Sequence, residues 1–250
     1  MRTLGAVGFV PLACLVTVAA CAGSPRSSAD APASDDAAPP LDGGDAGNLV
    51  GNGDASGHPC VGLECQRVDC AAQGLPDTTV SGVVFDPAGQ NPLYDVIVYI
   101  PNAPLAPLTA GVTCDQCGVL ASGSPISTAL TGPSGKFLLA DVPAGDGIPL
   151  VIQLGKWRRQ LVIPNVAPCR DNPMSDPRLM RLPAKQSEGD MPQMAVATGG
   201  CDPFECLLRK IGIDRSEFTE AGGGGKVHLY QGTGGSGLSA TTPTAAQLWA

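Results

Sequence analysis

The sequence predicts a mainly β protein: an antiparallel β-sandwich that follows a signal peptide and a disordered tether, with a short, incomplete α/β segment at the C-terminus. Three observations predict it. Between residues 78 and 164, short β-branched and apolar runs alternate with Gly/Pro turns, the spacing of an all-β sandwich. Gly (33) and Pro (24) together approach a quarter of the 250 residues, while aromatics are 4% and charged residues 15%. That composition excludes a coiled coil, a long helical bundle and a basic nucleic-acid binder, and it does not fit the repeating strand and helix of a (β/α)8 barrel. Finally, of ten cysteines, eight lie well beyond an apolar N-terminus, as in an exported, disulfide-bearing chain.

Residues 1–20 carry one charge, Arg2, then an apolar run from Leu4 to Ala20 interrupted by Pro11. The run is short for a membrane span and reads as a signal peptide. Val18-Ala19-Ala20-Cys21 resembles the bacterial lipobox, in which small residues precede a cysteine that becomes the lipidated N-terminus. The resemblance implies acylation at Cys21 and an anchor of several acyl chains, which holds where one chain does not. Ala22, where an Asp would favour inner-membrane retention, implies an outer-membrane lipoprotein. Residues 21–58 are rich in Ala, Gly, Ser, Pro and Asp, with only Leu41, Leu49 and Val50 able to enter a core. Such a segment cannot bury enough surface to offset its ordering entropy and reads as a tether reaching roughly 30–40 Å. Its Asp residues lack the spacing of a calcium loop. They also account for most of the net charge of −8, so that charge says little about a substrate.

Residues 59–77 form a Cys-rich lead-in. Setting aside Cys14 in the signal and Cys21, eight cysteines remain: Cys60, Cys65, Cys70, Cys114, Cys117, Cys169, Cys201 and Cys206. An even number in an exported chain favours structural disulfides, and eight cysteines allow 105 connectivities. Cys201 with Cys206 and Cys114 with Cys117 are close enough in sequence for local bonds. Cys60, Cys65 and Cys70 are an odd trio, so one must reach elsewhere, with Cys169 a candidate. Zinc binding by the clusters and thiol redox chemistry at Cys114-Asp115-Gln116-Cys117 are weaker readings. No thioredoxin-like pattern surrounds that motif, and Gly118 stands where a haem-attachment histidine would be. The expectation is no metal and no cofactor.

The sandwich is expected over 78–166. Its strands read as 78–86, 93–101, 126–131, 136–142, 148–154 and 157–163, with a longer loop over 102–125. Phe137 and Leu139 share a face after the turn Gly132-Pro133-Ser134-Gly135, and Pro143-Ala144-Gly145 makes the next turn. Three segments, Val80-Ser81-Gly82-Val83-Val84, Leu93-Tyr94-Asp95-Val96-Ile97-Val98-Tyr99 and Thr131 through Gly145, resemble the carboxypeptidase regulatory-like domain, a prealbumin-like or carbohydrate-binding-like sandwich. Position 132 is Gly where that family often has Asp. The resemblance covers about a third of the chain and implies a fold rather than an activity. Sugar stacking would need exposed aromatics. The candidates are Trp157, Tyr94 and Tyr99, with Arg158 and Arg159 as a basic patch toward an anionic glycan; core packing or a solvated strand face is the competing role for each.

Residues 167–190 read as a polar, Pro-rich linker. Beyond it, 191–200 reads as a strand ending in glycines. Cys201–Ile213 reads as a helix with Asp202 as N-cap and Pro203 at N1, Lys226–Tyr230 as a second strand, and Thr241 as the start of another helix. Strand, Gly turn, helix and strand resemble the opening of a flavodoxin-like or amidotransferase-like sheet. Two strands and one helix do not close such a core, so either the chain continues or the segment packs on the sandwich. Cys201 is a candidate nucleophile by the same resemblance, but Asp202-Pro203 breaks the G-x-C-x-G elbow and no Glu is evident to orient His228. No Gly-Lys-Ser/Thr follows the glycine loops, and His58 reads as solvated.

The expectation is therefore a cell-envelope lipoprotein displaying a sandwich as a binding or scaffold module, not complete as an enzyme. Its expected partners are the membrane, through the lipid, and an envelope glycan or envelope protein. The alternative is the N-terminal part of an exported enzyme whose catalytic α/β domain lies beyond residue 250.

Overall fold

A computed structural model describes residues 60–111 and 121–249. The signal peptide, Cys21, the tether with His58, and the pair Cys114 and Cys117 lie outside the described residues. No helix among those described is long and apolar enough to cross a membrane.

Two sheets build the sandwich. One has four antiparallel strands in the order β3-β2-β5-β6: β2 (Ile97–Pro101), β3 (Pro125–Leu130), β5 (Gly145–Leu154) and β6 (Trp157–Val166). The other has the order β4-β1-β7: β1 (Thr79–Val83), β4 (Lys136–Leu139) and β7 (Asp171–Met174). Their inward faces share one core, with Val80, Phe137 and Leu139 from the three-stranded sheet and Val98, Ile100, Ile148, Leu150, Ile152 and Ile163 from the four-stranded sheet. Alternation produces this directly, since residues two apart face the same side. In β4, Phe137 and Leu139 are buried while Lys136 and Leu138 are exposed. The middle strands β2 and β5 are buried on their second face too, where the Tyr99 hydroxyl donates to Gln153 Oε1 at 3.3 Å.

The residues of the family-like signature have local tasks. Thr131 is buried; its hydroxyl donates to the Leu93 carbonyl at 2.6 Å and accepts the Val96 amide at 2.9 Å, so it pins the turn before β4 to the chain entering β2. Gly135 has φ +70° and approaches Val84 O so closely that a Cβ would lie 2.9 Å away, which excludes a side chain there. The second expected strand, 93–101, begins only at Ile97 because Asp95 adopts a left-handed φ of 60°.

Residues 167–190 are not a free linker. They contribute β7, which pairs parallel with β1, so the sandwich is antiparallel except at that edge. They also bury Met180 and Leu182 in the sandwich core, held by Phe85 N to Met180 O (2.9 Å) and Leu182 N to Phe85 O (3.1 Å). The Cys-rich lead-in is stapled to this edge. Cys60 bonds Cys65, and Cys70 bonds Cys169 across a sequence separation of 99. The second bond closes a loop large enough for a stabilisation of about 4.7 kcal/mol by loop entropy.

The C-terminal segment is a parallel three-stranded sheet in the order β8-β10-β9, with β8 (Met194–Thr198), β9 (Phe218–Glu220) and β10 (Val227–Gln231). The third strand in sequence lies in the middle. A flavodoxin-like opening instead puts its first strand between the second and third. The helix α1 (Phe204–Lys210) is shorter than 201–213 and is capped at Pro203, without a side-chain cap from Asp202. The expected final helix is one 3-10 turn, Ala245–Leu248, closed by a capping box between Thr244 and Gln247. The segment packs on the sandwich: Met191, Ile213, Val227 and Leu229 form a second core, and Trp157 touches both cores.

Parallel neighbours are normally joined by a dozen residues or more. Here β9 returns to the start of β10 through Ala221–Lys226 alone. The Gly222–Gly225 run makes that possible. A Cβ on Gly225 would collide with the Glu217 carbonyl, so a bare backbone is required at that point. Buried Glu217 completes the corner, accepting from the backbone and side-chain nitrogens of Gln186 at 2.8 Å each and from the Lys226 amide at 3.1 Å.

Candidate functional site

A cleft of about 800 Å³ opens where the sandwich meets the C-terminal segment. Leu108, Met191 and Pro192 give it an apolar floor, and Lys156, Asp190, Gln193 and Lys226 supply its polar groups. Lys156 stands in the β5–β6 turn. Its ammonium donates to Thr109 O at 2.9 Å and to Gly111 O, holding the 108–111 wall in place. Arg158 braces the same loop from behind, donating to Ala106 O at 2.8 Å, and it pairs with Asp190 at 2.8 Å. Asp190 is thereby neutralised. Lys226, on the opposite wall, makes no ion pair among the described residues. The Gln193 amide lies against the Gly225 and Lys226 carbonyls at 3.5 and 3.3 Å. Two ammonium groups with one compensated carboxylate over an apolar floor form a cationic, half-open recess. Its chemistry suits a polar ligand carrying negative charge.

Beside the cleft, the segment 186–190 covers the edge of β6 through an antiparallel bridge between Arg158 and Asp190. Gly189 passes so close to Arg158 O that a Cβ would collide with it. Glu188 anchors the segment. It receives Arg181 through two hydrogen bonds at 2.8 and 2.9 Å and the Ala184 amide at 2.9 Å. Burial pushes its carboxyl up, but the bonds from Arg181 and Ala184, with the Arg181 and Arg159 charges, outweigh that and hold it below the usual carboxylate range. Burial, then the Arg181 charge, lowers the Arg159 guanidinium, with Glu188 opposing.

The candidates from sequence are dispersed by the fold. Tyr99 is fully buried, and Trp157 is half-buried between the two cores. Arg158 is 6% exposed and committed to Asp190 and Ala106; Arg159 donates to the Arg178 and Arg181 carbonyls. They do not form a basic patch facing solvent. Tyr94, at 65% exposure, keeps an open ring. Cys201 and Cys206 are both free and exposed, so the suggested local bond is not formed: Cys206 is already inside α1, while Cys201 lies in the loop leaving β8. His228 hydrogen-bonds with Gly223 O at 3.2 Å, within the glycine corner. Among the described residues no group of three His, Cys, Asp or Glu side chains is placed to hold a metal ion. Sequence reasoning missed Lys156, Gln193 and Lys226. They are single polar residues in three separate turns, and only the packing of the C-terminal segment on the sandwich brings them together.

No family model and no curated protein matches the chain. Two solved structures do, both of a type II cohesin–X-dockerin complex from Acetivibrio cellulolyticus. The C-terminal interface mutant aligns over 57% of this chain and 75% of its own, at 19% identity and a TM-score of 0.26. The N-terminal interface mutant aligns over 59% and 78%, at 19% identity and a TM-score of 0.27. The fold described above rests on strand pairing and core composition, not on these likenesses.

Proposed function

We propose that this chain is an exported, lipid-anchored envelope protein whose sandwich serves as a binding module, with the Lys156–Lys226 cleft as its ligand site and an anionic envelope glycan as the ligand class. The cleft is the observation that carries the reading: an apolar floor for sugar-ring faces beneath two ammonium groups, neither of them in an ion pair among the described residues. The bonds Cys60–Cys65 and Cys70–Cys169 support an oxidising compartment. Cys21, at the end of the lipobox-like run, supplies the anchor.

Retention on immobilised polygalacturonic acid and on peptidoglycan sacculi tests the site. The wild-type chain is retained and elutes with salt, Lys226→Glu loses retention, and neutral amylose retains neither. Retention that survives Lys226→Glu but is lost in Tyr94→Ala would move the site to the exposed tyrosine. Labelling with an alkyne-bearing fatty acid tests the anchor separately: label on the wild type and none on Cys21→Ala is the expected result.

A further inference from the structure

The parallel β8-β10-β9 sheet ends on β8, and that edge is unusually bare. Met194 N donates to Lys226 O at 2.7 Å and Thr198 O accepts from Gly232 N at 3.0 Å, so residues 194, 196 and 198 turn their peptide groups toward β10. Ala195 and Ala197 turn theirs outward, where no strand pairs with them among the described residues. Edges of this kind are usually blunted by charge, Pro or a bulge. None is present over Met194–Thr198.

Beside the edge lies an apolar groove of about 500 Å³, lined by Met194, Val196, Phe204, Leu207 and Leu208. Phe204 and Leu207 are 56% and 52% exposed. Unpaired backbone groups next to an exposed apolar trough fit a strand that adds to the sheet. The charges on the groove wall decide which strand. Exposed Asp202 stands before the first turn of α1, and exposed Arg209 and Lys210 form its last turn. A surface charged with opposite sign at its two ends is complementary to itself only when inverted.

We infer that the β8 edge and the α1 groove are an isologous dimer interface, occupied by a second copy of this chain in antiparallel orientation. The two β8 strands pair across the two-fold axis, joining two three-stranded sheets into one of six. The two α1 helices lie antiparallel, so Asp202 of each copy faces Lys210 of the other and Leu207 packs near its symmetry mate. A closed two-fold consumes the β8 edge of both copies.

Sedimentation equilibrium of the full chain in density-matched detergent tests this, with four variants. At roughly 100 μM the wild type sediments with twice its protein mass, a modest affinity for an interface of this kind. Ala197→Pro removes one outward N–H without touching the β8–β10 ladder. It weakens the dimer by roughly tenfold or more and leaves the circular dichroism spectrum and unfolding midpoint unchanged. Asp202→Lys and Lys210→Glu each weaken it roughly tenfold by placing like charges in contact, and the double variant recovers wild-type association. A monomeric wild type at that concentration overturns the inference. So does a dimer indifferent to Ala197→Pro, or a double variant no better than either single one.

Discussion

Glu188 illustrates how much of this molecule depends on single polar side chains acting as rivets. It ties the 186–190 segment to Arg181 and so keeps the edge of β6 covered. Its folded-state pKa lies below the ordinary value of 4.5. A depressed carboxylate stabilises the fold above its unfolded pKa and loses that contribution as pH falls through the folded value. Glu188→Gln is therefore expected to lower the urea midpoint at neutral pH, with the gap to wild type closing below about pH 4.5. A gap that stays constant down to about pH 3 would show that the charge is not what anchors the segment. Arg158 and Arg159 show why the site was hard to read at this scale. Adjacent arginines beside a tryptophan look like a patch. Strand alternation, however, sends Arg158 toward the Ala106 carbonyl and Asp190 and Arg159 toward the Arg178 and Arg181 carbonyls. Their partners lie far away in sequence, where no local pattern points to them.

Among the elements, the β9–β10 corner makes the sharpest claim. Its glycines look interchangeable in sequence, but their surroundings differ. Gly225 has the Glu217 carbonyl against it, while Gly224 has nothing within 4 Å. Gly225→Ala is expected to destabilise the protein by roughly 2 kcal/mol or more, and Gly224→Ala to change stability by less than about 0.5 kcal/mol, both by denaturant unfolding. Equal effects would mean that the corner does not need its close approach. The sandwich strands were legible because alternation and turn residues coincide there: the Phe137/Leu139 face and the Gly132–Gly135 turn report the same hairpin. Strand β7 was not, since Asp171-Asn172-Pro173-Met174 carries no β signal and is a strand only because β1 lies beside it. Strand β9 was missed for its length, three residues in a polar stretch. The central place of β10 could not be read, because strand order is set by packing that local periodicity does not record.

At the level of the whole molecule, two cores meet at Trp157, and the cleft exists only because they do. The disulfides act at the opposite end of the chain path, where the lead-in joins the sandwich. Cys70→Ser together with Cys169→Ser is expected to cost up to about 4.7 kcal/mol, read as a lowered unfolding midpoint, while the Cys60→Ser, Cys65→Ser pair costs less because its loop is short. Equal losses would argue that local strain or packing, not loop closure, dominates. The mainly β class was legible from composition and turn spacing. The binding cleft was not, since it belongs to the docking of one segment on another.

The Cys70–Cys169 bond also has a mechanical consequence. Cys169 lies just before β7, and β7 runs parallel to β1, whose own start follows the lead-in from Cys70. A pull arriving from the N-terminal side is therefore split at the disulfide and enters two side-by-side strands at the same end. The two strands are then drawn as one unit, and the load passes to the β1–β4 ladder instead of peeling β1 away from β7. Reduction would remove the second path and leave β1 to carry the whole force, so the redox state of one bond sets how firmly the sandwich resists a pull applied ahead of Cys70.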